Sequence, residues 1–414
     1  MISLMGTWMQ QIAMSWLVYR LTNSSFLLGI VGFASQIPTF FLTPFAGVLI
    51  DRWNRHRILI ITQTLAMLQA LILAFLALTH AIRIWHVIGL GLFLGVINAI
   101  DIPARQAFLI DMIEKKEDLG NAIALNSSMV NVTRLLGPSI AGILIALVGE
   151  GMCFLLNGLS YLAVIIALLA MKITPRKVEI EKPRVLEGLA AGFTYAFGFA
   201  PIRSVLLLLS LTSLMGMPYG VLLPVFATDI LQGGPYTLGF LMTCSGAGAL
   251  IGAIYLTLRK SVLGLGRWIV IASSVFGIGL IGFSLSRTLW LSLIFISLTG
   301  FGMMVQMASS NTVLQTIVED DKRGRVMSFY TMAFMGMTPF GSLLAGSLAS
   351  KIGAPNTLMM GGICCILGSL VFASKLPALR EMVRPLYVRL GIIPEIALGV
   401  HSATELTIPP EGKS

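Results

Sequence analysis

A chain of 414 residues with 56% hydrophobic and 11% charged side chains, at a mean hydropathy of +0.90, is far more apolar than a soluble globular protein, where about a quarter of residues are charged. The composition excludes a soluble domain and describes a polytopic membrane protein. The formal net charge of +10 is no nucleic-acid signal, because the basic residues lie between apolar spans with no aromatic-interleaved basic module; membrane topology and lipid headgroups account for them.

Apolar runs long enough to cross a bilayer fall near 3–22, 25–50, 58–80, 84–108, 121–147, 151–171, 203–226, 236–258, 266–286, 289–314, 324–350 and 355–374. The predicted fold is therefore all-α, with twelve transmembrane helices. No cleavable leader is expected, since the first run begins at Met1, carries Gln10 and Gln11, and has no small-residue cleavage site before the next span. With the termini and every second loop on one side, the Lys and Arg of the loops fall there, against Arg20, Arg83, Arg287 and Lys351 on the other. That bias predicts both termini in the cytoplasm and, with the resemblance below, a bacterial inner-membrane location.

Between the second and third spans the apolar run stops at Gly47-Val-Leu-Ile-Asp51-Arg52-Trp53-Asn54-Arg55-His56-Arg57. This short basic turn resembles the signature loop of the major facilitator superfamily, a glycine followed by Asp-Arg and then a second glycine and two basic residues. Gly47, Asp51, Arg52 and Arg55 match; Asn54 stands for the second glycine and His56 for a basic residue. The resemblance implies a cytoplasmic latch of Asp51 and Arg55 with Asp111 at the end of the fourth span.

Polar stripes mark the first half. Trp8, Gln11 and Ser15 share a face of the first span; Asn98, Asp101 and Arg105 share a face of the fourth around Pro103; Ser127, Asn131, Arg134 and Pro138 share a face of the fifth. A charge inside the bilayer costs about 2.5–3.5 kcal/mol, so such stripes line a wet cavity or pair between helices. Asp101 is the acid deepest in a span, and two roles stay open for it: a clamp on Arg105 or Arg134, or a proton or substrate site.

The chain also echoes itself. Leu21 to Ser35 aligns with Leu231 to Ser245, placing Leu28-Gly29 over Leu238-Gly239, and Ala141-Gly142 aligns with Ala345-Gly346 at an offset near half the chain. Two pseudo-symmetric six-helix bundles follow, residues 1–171 and 201–375, joined by a cytoplasmic linker at 172–200 and followed by a cytoplasmic tail at 376–414 with an amphipathic stretch, Leu379 to Arg389.

Asp101-Ile-Pro-Ala-Arg-Gln-Ala-Phe108, Glu117-Asp-Leu-Gly-Asn121, Leu125-Asn126 and Arg134-Leu-Leu-Gly137-Pro138-Ser-Ile-Ala141-Gly142 resemble the subgroup of that superfamily containing the enterobactin exporter and macrolide efflux proteins. The likeness implies a central cavity lined by the first, fourth, seventh and tenth spans, with Gln11, Asn98 and Asp101 facing Ser210, Ser213, Tyr219, Gln306, Ser310 and Asn311. Gly137, Pro138 and Gly142 resemble the glycine-proline antiporter motif of the fifth helix.

Enzyme chemistry has no support. The four histidines, His56, His80, His86 and His401, lie in loops, near span ends or in the tail without metal-ligand spacing, and there is no nucleophile elbow or phosphate-binding loop. Neither a metal nor a cofactor is expected. The expected function is a monomeric secondary transporter in contact with membrane lipids, exporting small amphipathic organic compounds on the proton gradient. Import of a small polar nutrient and proton-independent lipid movement are the alternatives.

Overall fold

The computed structural model describes residues 1–112, 119–171, 193–259 and 261–389. Among them the chain is helical throughout, with no strand. The first bundle comprises α1 (Ile2–Thr22), α2 (Ser25–Arg52), α3 (Arg55–Leu78), α4 (Ile84–Asp111), α5 (Leu119–Val148) and α6 (Glu150–Ala170). In the second, α7 (Ala200–Met215), α8 (Tyr219–Val225) and the π-helical turn Phe226–Ile230 form one crossing, followed by α9 (Pro235–Thr257), α10 (Leu265–Leu285) and α11 (Leu289–Ile317). Then α12 (Asp320–Thr331), the π-helical turn Met332–Gly336 and α13 (Thr338–Ile352) make the eleventh crossing, and α14 (Ala354–Arg389) the twelfth. Ten of these twelve are long and apolar enough to cross a membrane on length and composition alone. The hydropathy of α1 is diluted by Gln10, Gln11 and Arg20, and of α5 only Leu135–Val148 reads as an apolar helix.

Tight turns at the end away from the chain termini repeat between the halves. Gly149 (φ 82°) separates α5 from α6, and Gly353 (φ 84°) separates α13 from α14 at the equivalent point of the second bundle. Only glycine adopts this backbone without a Cβ penalty.

The halves meet where the sequence echoes itself. A Cβ on Gly29 of α2 would lie 2.7 Å from the Ser342 carbonyl and 2.9 Å from Gly346 Cα of α13. A Cβ on Gly142 of α5 would lie 2.9 Å from both Gly239 Cα and the Pro235 carbonyl of α9. The four glycines aligned across the duplication are thus the four that build two symmetric crossings, each backbone resting on another. In a bilayer, where burial against lipid tails gives no net hydrophobic gain, such close approach supplies dispersion contacts and Cα–H···O bonds.

One departure from the sequence reading lies at the last crossing. The tail expected from residue 376 is helical to Arg389, with Pro377 and Pro385 inside α14. Leu379 and Val383, one turn apart, are buried in a core with Ile202, Leu265, Leu314 and Val326, so the amphipathic stretch packs on the protein rather than lying free. The end of the linker joins the same region: Phe193 stacks on Phe197 with ring centroids 4.4 Å apart, and Phe197 meets Phe329 edge-on. Nearby, the Lys322 ammonium holds the exposed Glu319 carboxyl below its usual range.

Candidate functional site

At the end away from the termini, the Tyr19 hydroxyl of α1 donates to Asp229 Oδ2 in the π-helical turn after α8. These positions are 210 residues apart, the same offset as the echo, so they are equivalent in the two halves and meet near the pseudo-two-fold axis. The pair lies just upstream of the aligned window and escaped the sequence reading because its two residue types differ. Arg20, beside it, pairs with Glu150 of α6. Ser139 and Thr243 hydroxyls hydrogen-bond at 2.6 Å across the α5–α9 crossing. Together with the glycine crossings, the Tyr19–Asp229 and Ser139–Thr243 bonds seal the halves against each other at this end, while Arg20–Glu150 ties α1 to α6 within the first bundle.

Within the first bundle the stripe on α4 turns toward α3. Asp101 is 2% exposed; its Oδ1 accepts from Thr62 Oγ1 and Gln63 Nε2, each at 2.7 Å, and its Oδ2 pairs with Arg105 one turn along α4. Three donors converge on one carboxylate, two of them from a helix that the sequence reading left out of the site. A second polar chain lies deeper: Asn157 Nδ2 donates to Gln10 Oε1 (2.7 Å), Gln10 Nε2 to Gln69 Oε1 (2.9 Å), and Gln69 Nε2 to the Leu90 carbonyl (3.1 Å), tying α6, α1, α3 and α4. Gln10 is buried in this chain while its neighbour Gln11 is exposed. Thr62 and Gln69 are seven residues apart on a span that otherwise reads as lipid-facing, and that spacing was the available signal. Asn98 and Trp8 are half-buried. Gly137 is buried beneath Trp8, whose Cβ would lie 2.7 Å from a Cβ at 137, and the Pro138 carbonyl packs against Gly239.

In the second bundle Gln306 is 3% exposed and donates to Thr212 Oγ1 at 3.0 Å, linking α11 to α7. Asn311 accepts from Gln315 Nε2 at 2.5 Å, one turn along α11. Ser213 and Ser310 are buried, and Tyr219 turns its hydroxyl to Ser245 of α9 at 2.8 Å, within the bundle.

Of the expected latch, the side chains of Asp51, Arg52 and Asp111 and the surroundings of Gly47 lie outside the described residues, as do the side chains of Asn131 and Arg134. Arg55 opens α3, which Asn54 caps by accepting from the Arg57 amide at 3.3 Å. His56, read as a stand-in for a basic residue, donates from Nε2 to the Leu168 carbonyl at 2.7 Å and stacks on Phe108, binding the ends of α3, α4 and α6 together.

The chain is similar along most of its length to several transporters. It is 29% identical over 371 residues to the staphyloferrin A transporter of Staphylococcus aureus, covering 89% of this chain and 92% of that protein. It is 26% identical to the multidrug efflux pump Tap of Mycobacterium tuberculosis, covering 90% of each. It is 23% identical to macrolide efflux protein A of Streptococcus pyogenes, covering 88% and 91%. Among solved structures, a bacterial homologue of the iron transporter ferroportin in an inward-facing state matches with a TM-score of 0.69 at 17% identity, over 90% of this chain and 95% of that one. The family model described as transmembrane secretion effector matches residues 1–387. The chain belongs to this family of major facilitator superfamily transporters.

Proposed function

We propose that the protein is a proton-coupled exporter of amphipathic organic compounds, working by alternating access as a monomer in the bacterial inner membrane with both termini in the cytoplasm. The observation that carries the reading is the seal between the halves at the end away from the termini, made by the glycine crossings and the Tyr19–Asp229 bond. Given the excess of Lys and Arg in the loops on the termini's side, the sealed end faces outward in this reading, the state in which an exporter takes up cargo from the cytoplasm. Multidrug and macrolide efflux among the similar proteins supports outward transport of bulky organic cargo. The sequence offers no ATP-binding loop, so the proton gradient is the proposed energy source.

The test is expression in a host lacking its own efflux pumps, with intracellular accumulation of macrolides, cationic dyes and a catecholate siderophore measured with and without a protonophore. Expected is lowered accumulation of at least one class, restored by the protonophore. Export of none of them, with uptake of a small polar nutrient instead, defeats the reading.

Asp51, Arg55 and Asp111 form, in this proposal, the cytoplasmic latch that closes when the outer seal opens. Exposed charge pairs contribute about 0–1 kcal/mol, which suits contacts that must break each cycle. Asp51→Asn is expected to slow transport while leaving cargo affinity near the wild-type value in an equilibrium binding assay on purified protein. An equal fall in affinity would remove Asp51 from the latch.

A further inference from the structure

α10 and α14 pack antiparallel along a seam that can be followed residue by residue. A Cβ on Gly277 would lie 2.7 Å from the Gly362 carbonyl, the Ser274 and Ser369 hydroxyls meet at 2.9 Å, and Ser369 Oγ donates to the Val270 carbonyl at 2.8 Å. Nearest the chain termini, a Cβ on Gly266 would lie 2.9 Å from Leu376 Cδ1. This register puts Arg267, in the first turn of α10, level with Lys375, and Arg380 level with the turn that leads into α10. All three side chains are exposed.

Opposite charge is missing from this end of the seam. The Arg267 and Arg380 guanidinium groups stand near enough to repel each other. Arg20, Arg105 and Lys322 each pair with a carboxylate, whereas among the described residues none pairs with Arg267, Lys375 or Arg380. Glu381 leaves α14 about 100° round from Arg380 and joins none of them. A further guanidinium is fixed alongside: Arg259 donates from Nη2 to the Leu263 carbonyl at 2.8 Å and lies over the Trp268 ring, 5.8 Å from its centroid. The turn from α9 to α10 is the second half's counterpart of the Gly47–Arg57 turn, and it keeps Arg259 and Lys260 but has no aspartate.

Below the cations the surface changes character. Ile271, one turn beyond Arg267, and Val371 and Leu367, one and two turns inward of Lys375, are exposed apolar side chains on the same seam. Crowded basic groups at the edge of the bilayer above an apolar stripe match a molecule with an anionic head and hydrocarbon chains. Basic pockets between membrane helices bind such headgroups, and the guanidinium fork suits a phosphate. A soluble anion would leave the stripe unused.

We infer that the α10–α14 seam holds an anionic phospholipid at the end that carries the termini, its phosphate shared by Arg267 and Arg380 with Lys375 beside them and its acyl chains along Ile271, Val371 and Leu367. The phosphate turns the repulsion between two arginines into attraction to a common anion, and so clasps the start of α10 to the end of α14. The site is independent of what the protein exports.

The test places the full chain in phosphatidylcholine nanodiscs containing a trace of photoactivatable phosphatidylglycerol and maps the labelled peptides. In wild type the label is expected within residues 259–271 and 367–384, suppressed by excess unlabelled phosphatidylglycerol and not by added phosphatidylcholine. Arg267→Gln and Arg380→Gln are each expected to weaken the competition roughly fivefold, the effect of one basic residue at an anionic surface, and the two together more than about tenfold. Arg325→Gln, which removes an exposed arginine of α12 at the same end, is expected to leave it unchanged. Label outside the seam, equal suppression by phosphatidylcholine, or an equal loss in Arg325→Gln overturns the inference and leaves a diffuse basic face. Suppression by soluble glycerol phosphate as strong as by the lipid also overturns it, in favour of a soluble-anion site. The wild-type map decides the location even where a variant fails to fold.

Discussion

Replacing Gly29 and Gly142 together with valine should hold the halves apart at the end away from the termini and depopulate the sealed state. Each new Cβ would arrive within 3 Å of backbone atoms across the crossing, the Ser342 carbonyl and Gly346 Cα in one case and Gly239 Cα and the Pro235 carbonyl in the other. Backbone in a packed helix cannot swing aside as a flexible side chain can, so the helices must separate. Overpacking of this kind costs about 1–3 kcal/mol per site, enough to shift a two-state equilibrium by roughly one to two decades. Spin labels at Leu21 and Tyr236, exposed ends of the first and second bundles, provide the readout. The expected result is a longer interlabel distance and strongly slowed flux in the double variant. An unchanged distance distribution with wild-type flux would show that the crossings tolerate a side chain and do not control the seal.

Asp101→Asn carries the second large expected effect. An asparagine can keep the acceptor facing Thr62 and Gln63, but its amide nitrogen then opposes Arg105 as donor against donor, and the ion pair is lost. In the proposed cycle a proton arriving at this carboxylate competes with those donors, which loosens α3 from α4 and couples protonation to the packing of the bundle. In proteoliposomes, flux driven by an imposed pH gradient should fall to background while equilibrium exchange of cargo persists. A lowered melting temperature with full proton coupling would assign Asp101 to holding the helices together and nothing more. The Arg105 guanidinium is half exposed, so its share of the clamp is modest, and the buried hydrogen bonds from α3 carry most of it.

The twelve spans were legible because bilayer thickness imposes a length on every helix, and the duplication because helix-packing glycines repeat in both halves. What the glycines touch was not legible: the echo aligns Gly29 with Gly239, whereas in space Gly29 meets Gly346. Contact partners across a two-fold are set by the arrangement of the bundles, not by the alignment. Gln10 and Gln11 illustrate the same limit at finer scale, since neighbours on a helix point about 100° apart and one is buried while the other is exposed. For the stripe on α4 a clamp and a cavity role were both open; Asp101 does pair with Arg105, but it also turns to α3, whose Thr62 and Gln63 sit in a run apolar enough to pass as lipid-facing. The breaks at Gly216 and in the π-turn before α13 left no mark in hydropathy, which registers composition and not backbone continuity.

The bond between Tyr19 and Asp229 bears on ancestry. On a true two-fold axis each residue faces its own copy, so a dimer of identical half-length chains would set tyrosine against tyrosine or aspartate against aspartate at this point. Neither arrangement gives a phenol bonded to a carboxylate. The present pairing requires two copies free to diverge, as the two halves of this one chain are: the closure at the end away from the termini is chemically unlike on its two sides, a division of labour unavailable to a homodimer.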